Sequence, residues 1–158
     1  MTNLADLNHT NHDEPYSDEY LQTILKSVKT IAMVGASPDK TKFSYGVLRV
    51  LHETGYDMIP INPRPGLEEI RGIKVYPSLG DVDRPIDMVE VFRRAEDLPA
   101  VAEEAVAIGA KVLWGQIGVK HADAAKTAEA AGMKVVMDRC PKIELFRPFW
   151  KPKLHLGI

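Results

Sequence analysis

The sequence predicts an α/β fold in which a mainly parallel five-stranded sheet is doubly wound, with helices on both faces. Five runs of strand length, at residues 30–35, 57–61, 86–92, 111–114 and 134–137, are rich in Val, Ile and Met. They lack the polar alternation of a half-exposed strand, as parallel strands covered on both faces require. Helical spacing fills the intervals between them, and a βαβ alternation of this kind selects a parallel sheet.

Taken in chain order, residues 17–28 read as a helix with Ser17 as N-cap and Asp18 and Glu19 in its first turn, where negative charge meets the helix dipole. Residues 44–54, 95–108 and 121–131 follow as helices. Each is closed by a glycine, Gly55, Gly109 or Gly132, suited to the left-handed residue that ends a helix. Ser44 is the expected cap of the first of these three. The segment Ile61-Asn62-Pro63-Arg64-Pro65-Gly66 reads as a rigid loop, because each proline removes a donor and turns its predecessor away from helix. Residues 76–81 read as a short helical turn. Residues 1–15 read as a flexible amino-terminal tail, 16–150 as one domain and 151–158 as a carboxyl-terminal tail.

A chain of 158 residues suits one domain with a sizeable core and leaves little room for a second. Lys and Arg number 20 against 22 Asp and Glu, for a net charge of −2, which argues against a broad nucleic-acid footprint. The single Cys140 excludes an intramolecular disulfide framework, and the apolar runs are too short to cross a bilayer. The amino terminus lacks the basic and apolar regions of a signal peptide, so a cytoplasmic location is expected.

The most informative local feature follows the first strand, where Gly35, Ala36 and Ser37 lead into a polar loop carrying Lys40 and Lys42. Unpaired amides at a helix start, with nearby cations, favour phosphate. The spacing departs from the dinucleotide fingerprint G-x-G-x-x-G, since Ser37 occupies the second glycine position and Gly46 comes too late for the third. After the second strand, where an NAD site places a carboxylate, the chain offers Asn62, Pro63 and Arg64. The Arg64 guanidinium suits the 2′-phosphate of NADP and the 3′-phosphate of coenzyme A equally. Phe92 and Arg93 follow the third strand, and Gln116, Ile117 and Gly118 follow the fourth, so four loops are expected to face one crevice.

In their order and separations, several motifs resemble the small CoA-binding proteins related to the nucleotide-binding domain of the succinyl-CoA synthetase alpha subunit. They are Val34-Gly-Ala-Ser-Pro, Gly55-Tyr, Ile59-Pro-Ile-Asn-Pro, Tyr76-Pro-Ser-Leu, Val91-Phe-Arg-Arg, Leu113-Trp-Gly-Gln-Ile-Gly-Val and Val136-Met-Asp-Arg-Cys-Pro-Lys-Ile-Glu. The resemblance implies a Rossmann-like fold with coenzyme A or an acyl-CoA as ligand. Carried onto this sequence, Gly35, Ala36 and Ser37 would meet phosphate with Lys40 or Lys42 closing over it. Asn62, Pro63 and Arg64 would meet the adenosine side, Phe92 and Arg93 would wall the cleft, and Gln116, Ile117 and Gly118 would border the pantetheine arm.

No metal-ligand spacing links His9, His12, His52, His121 and His155, and no G-x-S-x-G elbow occurs. The expected role is therefore binding without catalysis, as a carrier, sensor or partner subunit. Two alternatives stand beside it. One is an NADP-dependent oxidoreductase; the other is an interaction module with a vestigial cleft, docking through the first helix or the aromatics Phe146, Phe149 and Trp150. A homodimer or a protein partner is compatible with either. Trp114 reads as core, and Cys140 as a buried filler or as a thiol able to form a mixed disulfide with a thiol ligand.

Overall fold

A computed structural model describes residues 2–147. The main sheet holds β1 (Thr30–Val34), β2 (Asp57–Ile61), β5 (Met88–Val91), β6 (Val112–Gly115) and β7 (Lys134–Val136), in the order β2-β1-β5-β6-β7. Every neighbouring pair is parallel, so the sheet is parallel throughout. A two-stranded hairpin, β3 (Glu69–Ile70) and β4 (Ile73–Lys74), lies between β2 and β5 in the chain. The helices are α1 (Asp18–Ser27), α2 (Phe43–Thr54), α3 (Leu98–Ala107), α4 (Ala122–Ala130) and α5 (Pro141–Leu145).

Strand alternation divides the core into two layers. Ile31 and Met33 of β1 pack with Leu21, Ile24 and Leu25 of α1 and with Val47, Leu48 and Leu51 of α2. Ala32 and Val34 point the other way, into a cluster with Leu98, Val101 and Ala102 of α3 and Ala124, Ala125 and Ala128 of α4. Both faces of the sheet are thus covered, which is why the strands read as continuous apolar runs. Trp114 is fully buried on the α1/α2 side, and its indole N–H donates to the Arg139 carbonyl at 2.9 Å.

The three glycine stops stand where expected, with Gly55 at φ +115, Gly109 at +74 and Gly132 at +86. Ser17 Oγ caps α1 by accepting from Tyr20 N at 3.1 Å. Other boundaries differ from the sequence reading. Ser44 does not cap α2: Lys42 is the N-cap, Ser44 is buried within the first turn, and no side chain caps that end. Residues 95–108 split into a 3-10 turn, Ala95–Asp97, and α3, because Pro99 has no N–H to give and is tolerated only in a helix's first turn. The turn expected at 76–81 is a 3-10 turn over Leu79–Asp81. The hairpin was not foreseen; Arg71 at φ +54 and Gly72 at φ +76 give it the two left-handed residues of a tight turn.

Residues 2–15, read from composition as a tail, run beside the β7 edge. Lys134 Nζ donates to the Leu7 carbonyl at 2.8 Å, Leu7 is buried, and His12 Nε2 lies 3.2 Å from Glu129. Tyr20 OH donates to the Val135 carbonyl at 2.7 Å, and Tyr16 OH accepts from Met137 N at 2.9 Å. These hydroxyls occupy backbone groups that an edge strand otherwise leaves open. Residues 151–158, together with Phe149 and Trp150, lie outside the described residues.

Candidate functional site

The connection from β1 leads through α2 to β2 on one side of the sheet, while the connection from β5 leads through α3 to β6 on the other. Such a reversal opens a crevice beyond the carboxyl ends of the two central strands. Gly35 sits at its base with φ +91, and a Cβ there would stand 2.3 Å from the Phe92 carbonyl oxygen. Only glycine allows the β1 and β5 loops to come this close.

Gly35 does not offer its own N–H to an anion as the sequence suggested, because it donates to the Ile61 carbonyl at 3.2 Å. Ala36 is buried, and its carbonyl accepts from Asn62 Nδ2 at 2.8 Å; Asn62 Oδ1 in turn accepts from Arg64 N at 2.9 Å. Asn62 therefore ties the first loop to the second. Ser37 Oγ accepts from Asp39 N at 3.1 Å, and Asp39 Oδ1 accepts from Thr41 N and Thr41 Oγ1 at 2.9 and 2.7 Å. The Thr41 bonds hold the Asp39 carboxyl below its usual pKa. These consecutive turns deliver Lys40, Thr41 and Lys42 to the uncapped start of α2.

That start opens on a cavity of about 510 Å³. Lys40, Thr41, Lys42, Phe43, Gly46 and Val47 line one side; Phe92, Gln116, Ile117, Cys140, Lys142 and Ile143 line the other. No carboxylate stands on this wall, and none of the three lysines forms an ion pair among the described residues. Phe43, Ile117 and Ile143 are 89%, 58% and 52% exposed, an unusual clustering of bare apolar side chains around a cationic mouth. Gln116 is buried, with Oε1 lacking a hydrogen-bond partner.

Across the Gly35 loop lies a second cavity of about 320 Å³, lined by Gly35, Ile61, Pro63, Ser78 and Arg93 and by the carboxylates of Glu96, Asp97 and Glu104. Arg93 pairs with Asp97 at 3.4 Å, so its charge is already matched. Anionic groups therefore favour the lysine side, and an uncharged base or sugar suits the acidic side. A third cavity, about 560 Å³, lies at the amino-terminal end of the sheet beside Lys29 and Asp57, away from the switch point.

The sequence-nominated residues are accordingly divided. Lys40, Lys42, Phe92, Gln116 and Ile117 share the first cavity, while Gly35, Pro63 and Arg93 line the second. Ala36, Ser37, Asn62, Arg64 and Gly118 are on the wall of neither. Gly118, at φ +84, donates its N–H to Asp138 Oδ1 at 2.7 Å and shapes a turn. Sequence reasoning missed Phe43, Lys142 and Ile143. An aromatic beside two lysines at a helix start was a usable signal for Phe43; Lys142 and Ile143 arrive from some 100 residues away, and their signal was their place in the motif at residues 136–144.

A family model for the CoA binding domain matches residues 29–145. The chain belongs to this CoA-binding domain family. An uncharacterized Bacillus subtilis protein, YneT, is 40% identical over 123 residues, covering 78% of this chain and 90% of that protein. The alpha subunit of an ADP-forming acetate–CoA ligase from Pyrococcus furiosus is 30% identical over 68% of this chain, which spans only 26% of that subunit. Among solved structures, a hypothetical protein from Pyrococcus horikoshii superposes with a TM-score of 0.79 at 36% identity, covering 88% of this chain and 96% of the other. One from Thermus thermophilus gives 0.76 at 36% identity over 82% and 96%. The family is thus related to the CoA-binding domain of ADP-forming acetyl-CoA synthetases, and its fold is Rossmann-like.

Among the described residues, no group of His, Cys, Asp and Glu is placed to hold a metal ion, and no helix is long and apolar enough to cross a membrane.

Proposed function

We propose that this chain binds coenzyme A or a short acyl-CoA along the carboxyl ends of the strands, as a carrier rather than a ligase. One observation supports the reading above others: the 510 Å³ cavity joins three lysines that form no ion pair among the described residues, and an uncapped helix start, to bare apolar side chains, with no carboxylate on its wall. That combination suits a ligand with an anionic diphosphate and a long, weakly polar arm. The diphosphate would lie against Lys40 and Lys42 at the α2 start. The arm would run past Phe92 and Ile117, and the adenosine would turn across Gly35 toward Pro63 and the acid-lined second cavity. Arg64, exposed at the end of the β2 loop, would meet the 3′-phosphate.

Lysine substitution tests this assignment. Lys40→Ala and Lys42→Ala are each expected to weaken CoA binding about fivefold to tenfold, and adding Lys142→Ala to both about 100-fold, because charge-assisted phosphate bonds are lost. Lys40 and Lys42 are exposed, so the unfolding midpoint in urea should not move. Equal CoA affinity in the triple variant and the parent would refute the placement of the diphosphate.

A further inference from the structure

Among the described residues, the large apolar side chains that stand more than half exposed are Phe43, Ile117, Ile143 and Phe146. All but Phe146 meet at the mouth of the cavity that carries Lys40, Lys42 and Lys142, although they come from separate parts of the chain. Scattered singly, such residues need no explanation; gathered around a concave site, they mark a surface that something apolar covers.

Ile117 shows how firmly that surface is held. It occupies the tip of a tight turn, a place where polar residues are usual, in which Val119 N donates to the Gln116 carbonyl at 2.8 Å and Gly118 takes φ +84. Gly118 N donates to Asp138 Oδ1 at 2.7 Å, Asp138 N to the Val119 carbonyl at 3.3 Å and Arg139 N to the Gly115 carbonyl at 3.2 Å. The turn is thereby fastened to the segment that leads into α5. Ile143 lies on α5, and α5 packs against α2, whose first residue is Phe43. All three side chains sit on one braced frame, so covering them orders little backbone.

Free CoA leaves part of this rim unused. In the placement proposed above, Lys40 and Lys42 take the diphosphate, and the arm passes Phe92 and Ile117 to end in a thiol, with no hydrocarbon to lay on Phe43 or Ile143. An acyl group on that thiol supplies it.

We propose that the rim of Phe43, Ile117 and Ile143 selects acyl-CoA ligands whose acyl group is an apolar chain, of the butyryl to octanoyl class, over acetyl-CoA, dicarboxylic acyl-CoA and free CoA. This rests on the CoA reading above and names the acyl group that reading leaves open. Recognition is by area, since the hydrocarbon and the three side chains leave water together. Each fully buried methylene is worth roughly fourfold in affinity. Half-burial, as at an open mouth, of the methylenes that hexanoyl has beyond acetyl gives about 15-fold. A succinyl group would set a carboxylate against the same rim, which costs its hydration.

Calorimetric titration with CoA, acetyl-CoA, succinyl-CoA and hexanoyl-CoA tests this. Hexanoyl-CoA is expected to bind about 15-fold tighter than acetyl-CoA, with a more negative heat-capacity change, the mark of apolar burial. Phe43→Ser combined with Ile143→Ser should reduce that ratio to about threefold, each protein's own acetyl-CoA affinity serving as the reference. Both side chains are more than half exposed, so the double variant should fold as the parent does. A general loosening of the site would weaken both ligands together and keep the ratio. Equal affinity for acetyl-CoA and hexanoyl-CoA, tightest binding of succinyl-CoA, or a full ratio in the double variant would overturn the selection and leave the CoA reading standing. So would a parent dimer that the two substitutions dissociate with no acyl preference in either protein, which would give the rim to a second copy of the chain. Failure of all these ligands to bind would overturn both readings.

Discussion

Gly35→Ala is expected to lower stability by about 3 kcal/mol, combining overpacking of a tight contact with a left-handed backbone. The new Cβ would stand 2.3 Å from a backbone carbonyl oxygen, that of Phe92, which has no rotamer to move. Relief requires the β1 and β5 loops to separate. Because those loops carry Lys40, Lys42 and Phe92 to the ligand cavity, CoA affinity should fall with stability. Gly55→Ala provides the comparison: its φ of +115 is also unfavourable, but a Cβ there meets nothing within 4 Å. Its cost should be about 1 kcal/mol, with CoA affinity unchanged. Urea unfolding of the two variants separates these contributions, and equal losses would remove the Phe92 contact from the account.

Glu90→Gln is expected to stabilise the protein, increasingly so as the pH rises. Below the ordinary carboxyl pKa of 4.5 the side chain is protonated whether folded or unfolded, and it contributes no pH dependence. Above that value the unfolded chain releases the proton while burial makes the folded chain keep it. Folding stability then falls by about 1.4 kcal/mol per pH unit until the folded-state pKa is reached. Glutamine keeps the shape and cannot ionise. The variant should match the parent near pH 4 and exceed it by a margin that grows as the pH rises toward the folded-state pKa. Denaturant titrations across that interval check it, and parallel stability curves for the two proteins would show that Glu90 ionises in the folded state.

The sheet was legible because its strands are covered on both faces: Ile31, Met33, Val112 and Val136 face one layer of helices while Ala32, Val34, Leu113 and Val135 face the other, leaving unbroken apolar runs. Helix ends marked by Gly55, Gly109 and Gly132 were equally plain, since few other residues take a left-handed conformation cheaply. The start of α2 was not plain. Ser44 has the right chemistry for a cap, but the turns formed by Ser37 and Asp39 bring the chain into helix two residues earlier. At the site, the cationic loop was visible because Gly35, Lys40 and Lys42 are close in the chain. Of the opposite wall, Phe92, Gln116 and Ile117 were legible from their places after β5 and β6, but Lys142 and Ile143 were not, since they reach it only after β6, α4 and β7 have been laid down. Glu90 was hidden for a related reason: one acid in an apolar strand does not disclose which partners the fold withholds.

The central claim is that the lysine-lined cleft takes the diphosphate of coenzyme A. Isothermal titration of the purified chain with CoA and, separately, with NADPH tests it most directly. Saturable heat is predicted for CoA with a Kd below about 1 mM, weakening as salt screens the lysines, and none for NADPH over the same range. Binding of NADPH with no heat from CoA would contradict the account.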